Sequence, residues 1–146
     1  MDRIIKEKLR IKHYTRYMDD CVLLHEDKEY LKHCLEEITR HIENDSLLKF
    51  NSKTQIIPIS QGVDYRGFHF YISDTGKIIR RLRSVNKRRI GRRLKGFRRA
   101  YEKGKIDSPA IARSLASYKG HLSHGHTYKL RKNLNRKLVL HRRAEP

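Results

Sequence analysis

Two short apolar runs near the beginning of the chain are separated by acidic residues. His13 to Tyr17 and Cys21 to Leu24 have the β-branched and aromatic content that is typical of strands, and Met18, Asp19 and Asp20 lie between them. Such a short connection predicts a tight hairpin. The hairpin would carry two adjacent carboxylates at its tip.

Helical spacing occurs on both sides of this hairpin. Asp2 to Lys12 carries apolar residues at roughly helical intervals and predicts the end of a helix. Asp27 can cap a longer helix from Lys28 to about Asn44. The apolar face of that helix comprises Tyr30, Leu31, Cys34, Leu35, Ile38 and Ile42. We expect this face to pack on the sheet of the hairpin.

The middle of the chain predicts a second hairpin. Gln55 to Ile59 is a short β-branched run, and Val63 to Tyr71 alternates around Gly67. A polar turn from Ser73 to Gly76 then leads into Lys77 to Arg80.

From Ser84 onward the pattern becomes helical and strongly basic. A first helix ends near Gly104, and a second begins at Ser108 and Pro109 and runs to Tyr118. Apolar positions mark the first and a third helix, namely Ile90, Leu94, Phe97 and Tyr101, and then Leu130, Leu134 and Leu138. Three helices of this kind can form a small bundle.

The charge is distributed unevenly along the chain. Residues 1–76 contain 12 Lys and Arg against 13 Asp and Glu, whereas residues 77–146 contain 23 against 3. A segment this basic gains affinity for a polyanion because it releases counterions from a phosphate backbone. Nucleic acid is therefore the expected partner of the second half.

Length and composition limit the number of domains and the cellular location that we expect. A chain of 146 residues is long enough for one domain or for two small subdomains that share a core. No uninterrupted apolar run has the length of a membrane span, and no signal peptide opens the sequence, so we expect a cytoplasmic protein without a membrane partner. Cys21 and Cys34 fall in apolar patterns and are expected to be core thiols.

The acidic pair predicts a metal site. Asp19 and Asp20 lie at a hairpin tip between apolar strands, where adjacent carboxylates favour a bound cation. Phosphoryl transfer with two Mg²⁺ ions about 3.5–4 Å apart requires carboxylates that are held rigidly. An ordinary polar turn is the alternative interpretation of the same residues.

The order of these segments resembles the palm of a reverse transcriptase. Tyr17 to Asp20 is followed by an apolar strand, an amphipathic helix, the segment Phe50 to Thr54 and the hairpin Tyr65 to Phe68. These correspond to the third, fourth and fifth palm motifs of that family, and a basic helical thumb follows there too. Arg16 and the Arg-rich helix are most similar to the bacterial enzymes of diversity-generating retroelements and group II introns.

The resemblance implies a role for each matching residue. Asp19 and Asp20 would be catalytic and bind Mg²⁺, with Mn²⁺ as the alternative, while Tyr17 and Met18 would line the primer terminus and the incoming nucleotide. Lys53 would act near the departing pyrophosphate; a solvated loop lysine is the alternative. The primer grip would comprise Tyr65, Arg66 and Gly67. Gly67 is also compatible with a β-bulge.

The basic helix is expected to contact the nucleic-acid backbone. Its cationic residues are Lys87, Arg88, Arg89, Arg92, Arg93, Lys95, Arg98 and Arg99. We interpret them as salt-sensitive thumb contacts that do not depend on sequence; a solvated basic face is the alternative. No Cys or carboxylate lies near His121, His124 and His126 in the sequence, which favours a thumb loop over a metal site.

Together these features predict an α+β fold, with a partial polymerase palm at residues 1–80 (antiparallel hairpins packed on a helix) and a basic three-helix thumb at residues 81–146. The implied function is RNA-directed DNA polymerisation on an RNA template and a DNA primer. Fingers and a further aspartate precede the hairpin in that family, so we expect this chain to be incomplete and inactive alone. It would be a split or truncated gene product, or a subunit whose missing half another chain supplies. The alternatives are a non-catalytic nucleic-acid-binding module and an RNA-associated structural protein.

Overall fold

The computed structural model describes residues 1–46, 49–137 and 140. Within these residues the fold is mixed α+β, with one two-stranded and one three-stranded antiparallel sheet. The predicted fold class is confirmed at this level. The chain divides into two compact units, unit 1 (Met1–Pro58) and unit 2 (Ile59–Pro146).

Unit 1 contains the predicted acidic hairpin. Its elements, in chain order, are a π-helical turn at Ile4–Lys8, strand β1 (His13–Tyr17), strand β2 (Asp20–Leu24) and helix α1 (Lys28–Ser46). Tyr17 pairs with Asp20 in the antiparallel register. The connection is therefore a two-residue turn of Met18 and Asp19, and Asp20 belongs to β2 and not to the turn.

Helix α1 starts at the predicted cap. The Asp27 carboxylate accepts hydrogen bonds from the backbone N–H groups of Glu29 at 2.8 Å and Tyr30 at 3.2 Å. The helix packs with the π-helical turn and the hairpin around one apolar cluster, as expected from its apolar face. The buried members of this cluster are Ile5, Leu9, Ile11, Cys34 and Ile38. Cys34 is thus a core thiol, while Cys21 is only half-buried.

Unit 2 begins with a three-stranded meander and continues with helices. Its elements are a 3-10 turn at Ile59–Gln61, β3 (Val63–Tyr65), β4 (Phe68–Ile72), β5 (Ile78–Leu82), α2 (Ser84–Glu102), α3 (Ser108–Ser123) and α4 (Tyr128–Lys137). The strands lie in the order β3-β4-β5, all antiparallel. The second hairpin is therefore extended by a third strand.

One local expectation in this region was wrong. Residues 55–58 form no strand, because the β-branched run leads into Pro58 and the 3-10 turn instead of a pairing partner. The expected hairpin at Tyr65 to Phe68 is confirmed, and Gly67 lies in its turn and not in a β-bulge. Arg66 and Gly67 have φ angles of 47° and 85°, the left-handed pair that closes a two-residue hairpin turn, so the chain reverses there.

The helices of unit 2 share their core with its sheet. The buried residues of this core are Phe68, Leu82, Ile90, Leu94, Leu122 and Leu134. The predicted start of α3 is confirmed, since Asp107 accepts a hydrogen bond from the Ala110 N–H at 2.9 Å. α2 ends before Gly104, whose φ of 66° suits a glycine. Leu138, expected on the third helix, lies outside the described residues.

The two compact units meet at residues 58 and 59, whereas the expected polymerase subdomains divide at residues 80 and 81. The three-stranded sheet thus belongs with the helices that follow it. Unit 1 contains 11 Lys and Arg and 11 Asp and Glu, and unit 2 contains 24 and 5. The formal net charge of +19 is therefore carried by unit 2.

Candidate functional site

The tip of the first hairpin is exposed and strained. Met18 has a φ of 53°, which costs a non-glycine residue about 1–2 kcal/mol. Its side chain is 77% exposed, and that of Tyr17 is 45% exposed. Asp19 and Asp20 are also exposed. A strained, exposed apolar residue next to two carboxylates is costly for stability, and such outliers are concentrated at functional sites.

The carboxylates of Asp19 and Asp20 are suitable ligands for Mg²⁺. This ion is typically held by one or two carboxylates together with substrate phosphates and water, and both side chains are accessible. Within the part of the chain that the structure describes, no three His, Cys, Asp or Glu side chains are grouped to bind a metal. The pair can therefore serve as the protein's share of a site that substrate phosphates complete.

Asp2 lies beside the hairpin but is engaged by other side chains. Tyr14 donates a hydrogen bond to Asp2 Oδ1 at 2.5 Å, and Arg16 Nη2 lies 3.0 Å from Asp2 Oδ2. The Tyr14 hydrogen bond, assisted by the Arg16 charge, lowers the pKa of Asp2. Burial and the same hydrogen bond raise the pKa of Tyr14. Burial also raises the pKa of the Cys21 thiol opposite Arg16.

Lys53 lies in a polar turn of unit 1. Its backbone N–H donates to Asn51 Oδ1 at 2.8 Å, and the Thr54 N–H donates to the Asn51 carbonyl at 3.1 Å. The lysine side chain is exposed and, among the described residues, makes no ion pair with Asp19 or Asp20. The structure therefore does not bring this expected catalytic lysine into direct contact with the acidic pair.

The turn between β3 and β4 is hydrogen-bonded to the start of α2 and lies close to His121 of α3. The Gly67 carbonyl accepts hydrogen bonds from Asn86 Nδ2 at 3.0 Å and from the Arg83 N–H at 3.3 Å. A Cβ at Gly67 would lie 2.8 Å from Asn86 Nδ2 and 3.6 Å from His121 Nε2. Glycine is therefore required by both φ and space at this position. Arg66, beside it, is exposed at the end of the turn.

The sequence did not indicate that Asn86 and His121 support this turn. Asn86 lies in the first turn of α2, and the His121 ring lies 5.1 Å from the Phe68 ring. Together they support the turn that carries Tyr65, Arg66 and Gly67. An asparagine four residues after the end of a strand was the available signal, but the partner carbonyl is visible only in the fold.

Helix α2 presents a dense set of cations to solvent. Ile90 and Leu94 are buried, and Phe97 and Tyr101 are partly buried on the same face. Arg88, Arg92, Lys95 and Arg99 follow the opposite side of the helix at intervals of three and four residues. Of the eight expected contact residues, Arg98 pairs with Glu102 at 2.8 Å. The other seven make no ion pair within the described residues.

Of the three C-terminal histidines named above, His126 has a structural role. The backbone N–H of His126 donates to the Arg80 carbonyl at 2.8 Å, and the ring Nδ1 of His126 accepts from the Arg80 backbone N–H at 3.0 Å. His121 lies in α3 and His124 follows that helix directly. Within the described residues these histidines join no metal-binding group.

No protein-family model matches the chain, and a search of the curated proteins found no match either. Within the described residues, no helix is both long enough and apolar enough to cross a membrane.

Proposed function

We propose that the chain is part of a reverse transcriptase, a metal-dependent RNA-directed DNA polymerase. The observation that carries the proposal is the hairpin tip, where Asp19 in the turn and Asp20 at the start of β2 are both exposed beside Met18. This geometry is consistent with the role that the sequence resemblance implies. Unit 2 supplies the positive charge that a template and a primer would require.

In this proposal each element has a defined task. Asp19 and Asp20 would hold Mg²⁺, and a bound ion would supply charge neutralisation for the triphosphate and a more acidic primer hydroxyl. Tyr17 and Met18 contact the primer terminus and the incoming nucleotide, and Lys53 neutralises the departing pyrophosphate. The turn of Tyr65, Arg66 and Gly67 holds the primer end, while α2 contacts the phosphate backbone.

The proposed site needs more than the acidic pair. The enzymes that the sequence resembles also use fingers and a further aspartate on an earlier strand, and Asp2 of this chain is instead bound to Tyr14 and Arg16. Those parts are therefore added as a second polypeptide in the test.

Primer extension on an RNA template with Mg²⁺ tests the proposal. The chain is assayed alone and with a polypeptide that contains fingers and the first palm motifs of a related polymerase. Extension is expected in the complemented reaction and is expected to fall by more than about a hundredfold with Asp19→Ala, because the metal loses a carboxylate ligand. Asp74→Ala, a carboxylate in the β4–β5 turn, is the matched control. Equal extension by the two variants would contradict the assignment of Asp19.

A second candidate function is supported by α2 alone. Seven exposed cations of one helix have no ion-pair partner within the described residues, which favours a nucleic-acid-binding module even without catalysis. In that case, template-primer binding would be salt-sensitive, independent of Mg²⁺ and unchanged by Asp19→Ala.

A further inference from the structure

The sheet of unit 2 has a second face that its core does not use. Phe68 and Leu82 are directly opposite each other and belong to the core that the sheet shares with the helices. Because side chains alternate along a strand, residues between core positions point to the other side of the sheet. We call this other side the outer face. It comprises Asp64 of β3, His69 and Tyr71 of β4, and Ile79 and Arg81 of β5.

The outer face combines aromatic rings with positive charge. The rings of His69 and Tyr71 lie 5.8 Å apart on the central strand, and both side chains are partly exposed. Arg81 is exposed and lies directly opposite His69. Ile79, opposite Tyr71, adds apolar surface beside the tyrosine ring.

The negative charge of Asp64, the one carboxylate of the outer face, is offset by neighbouring side chains. Asp64 Oδ1 lies 2.8 Å from His69 Nδ1, and Asp64 Oδ2 lies 3.0 Å from Arg83 Nε. The hydrogen bond fixes the orientation of the imidazole ring and directs Nε2 away from Asp64. The Arg83 charge offsets the repulsion that Asp64 would exert on a phosphate, so the net local charge is set by Arg81.

We propose that the outer face binds unpaired bases of single-stranded nucleic acid. Tyr71 and His69 stack on successive bases, and Arg81 contacts the backbone phosphate between them. Aromatic side chains on a sheet, flanked by cations, are suited to this task, because every base has a π-face and every linkage a negative charge. A duplex would not use the rings, since its bases are already stacked. The inference rests on the proposed nucleic-acid partner of unit 2, but it does not depend on polymerase chemistry.

The test uses an oligothymidylate of about ten nucleotides that carries a single 2-aminopurine, which is fluorescent among weakly stacked thymines and is quenched when it stacks on a ring. Tyr71→Leu in the full chain is expected to weaken binding by roughly five- to a hundredfold and to abolish the quenching. Tyr71→Phe is expected to retain both, since it keeps the ring. Tyr128→Leu is the matched control, because Tyr128 is 69% exposed on α4, outside the outer face. Circular dichroism establishes that each variant is folded.

Arg81→Gln keeps the proposal testable if Tyr71→Leu does not fold. It is expected to weaken binding of the same oligonucleotide and to lower the slope of log K against log salt by about 0.7, the value for one single-strand phosphate contact. Arg113→Gln, an exposed arginine of α3, is its control.

The proposal is overturned if Tyr71→Leu binds and quenches like the unmodified chain, or if Tyr128→Leu has the same effect. Primer extension separates this result from the polymerase assignment. If Tyr71→Leu weakens binding but the complemented enzyme extends no primer, the base-binding role of the outer face is supported and the polymerase assignment is contradicted. If the complemented enzyme extends the primer but Tyr71→Leu binds normally, the polymerase assignment is supported and the base-binding role is contradicted.

Discussion

Tyr14 and Arg16 of β1 both engage the same carboxylate, that of Asp2. These contacts stabilise the charged form of Asp2, which is why its pKa is lowered. A lowered pKa contributes stability above the ordinary pKa of aspartate, and this contribution is lost as the pH falls through the lower, folded-state pKa. Because Asp2 is exposed, solvent screening keeps the contribution small.

Removal of the Tyr14 hydroxyl should make Asp2 titrate at a higher pH. With Tyr14→Phe, the strongest interaction with the carboxylate disappears while the ring remains, so the pKa of Asp2 should rise toward its ordinary value. An NMR titration of the side-chain carboxyl carbon measures the change. Arg16→Gln serves as the comparison and should give a smaller rise, and an unchanged midpoint in Tyr14→Phe would contradict the assigned hydrogen bond.

At the residue scale, the sequence predicted local geometry better than contacts between distant residues. The Asp19 and Asp20 pair was located at the hairpin tip by its neighbours in the chain, because a two-residue turn is a local structure. The support of Gly67 by Asn86 and His121 was not predictable. Those residues are 19 and more positions away along the chain, and their approach depends on how the helices pack against the sheet.

Helix α2 shows how one element can meet two demands. Its apolar stripe contributes Ile90 and Leu94 to the core, while Arg and Lys occupy the remaining positions. Such density of like charge destabilises an isolated helix, since neighbours at i and i+4 repel each other. A polyanion would relieve this repulsion, so that binding and helix stability are expected to increase together.

Neutralising the solvent side of α2 should reduce the salt dependence of template-primer binding. Gln is suitable at Arg88, Arg92, Lys95 and Arg99 because it preserves helix propensity. For each lost phosphate contact, the slope of log K against log salt should fall by about 0.9. Fluorescence anisotropy over a range of salt concentrations measures this slope.

A matched variant removes the same number of charges from unit 1, with Gln at Lys6, Lys12, Lys28 and Lys49, all of which are exposed. Its slope should change little. If both variants lose the same slope, binding follows the total charge of the protein and not α2.

At the element scale, the long periodic helices and the first hairpin were predicted well, whereas the isolated run at residues 55–59 was not. α1 and α2 repeat their apolar positions over several turns, and Asp27 and Asp107 signal two helix starts. The run at residues 55–59 has β-branched residues but forms no strand, because strand formation requires a pairing partner that local composition does not specify.

The whole molecule separates charge by unit. Unit 1 is formally neutral and contains the acidic hairpin, whereas unit 2 contains the excess of Lys and Arg. The sequence predicted this asymmetry, with the excess of basic residues beginning at Lys77. The compact units divide earlier, after Pro58, because Phe68 and Leu82 share a core with the helices and so group β3 to β5 with unit 2.

Limited trypsin digestion should separate the two units and their binding properties. Lys49 and Lys53 are exposed in a segment without helix or strand, so cleavage is expected there first. The C-terminal fragment should then remain on a column that carries template-primer duplex, and the N-terminal fragment should elute at low salt. Lys49→Gln combined with Lys53→Gln should delay the first cleavage, and retention of the N-terminal fragment would contradict the division of charge.

The contact of His126 with Arg80 also affects how copies of this chain behave at high concentration. An unpaired strand edge is a template for edge-to-edge association between chains. His126 occupies both backbone groups of Arg80, so part of the outer edge of β5 is closed by the chain itself. Since Nδ1 accepts one of these hydrogen bonds, loss of the His126 side chain would free the Arg80 N–H and favour association of copies through β5.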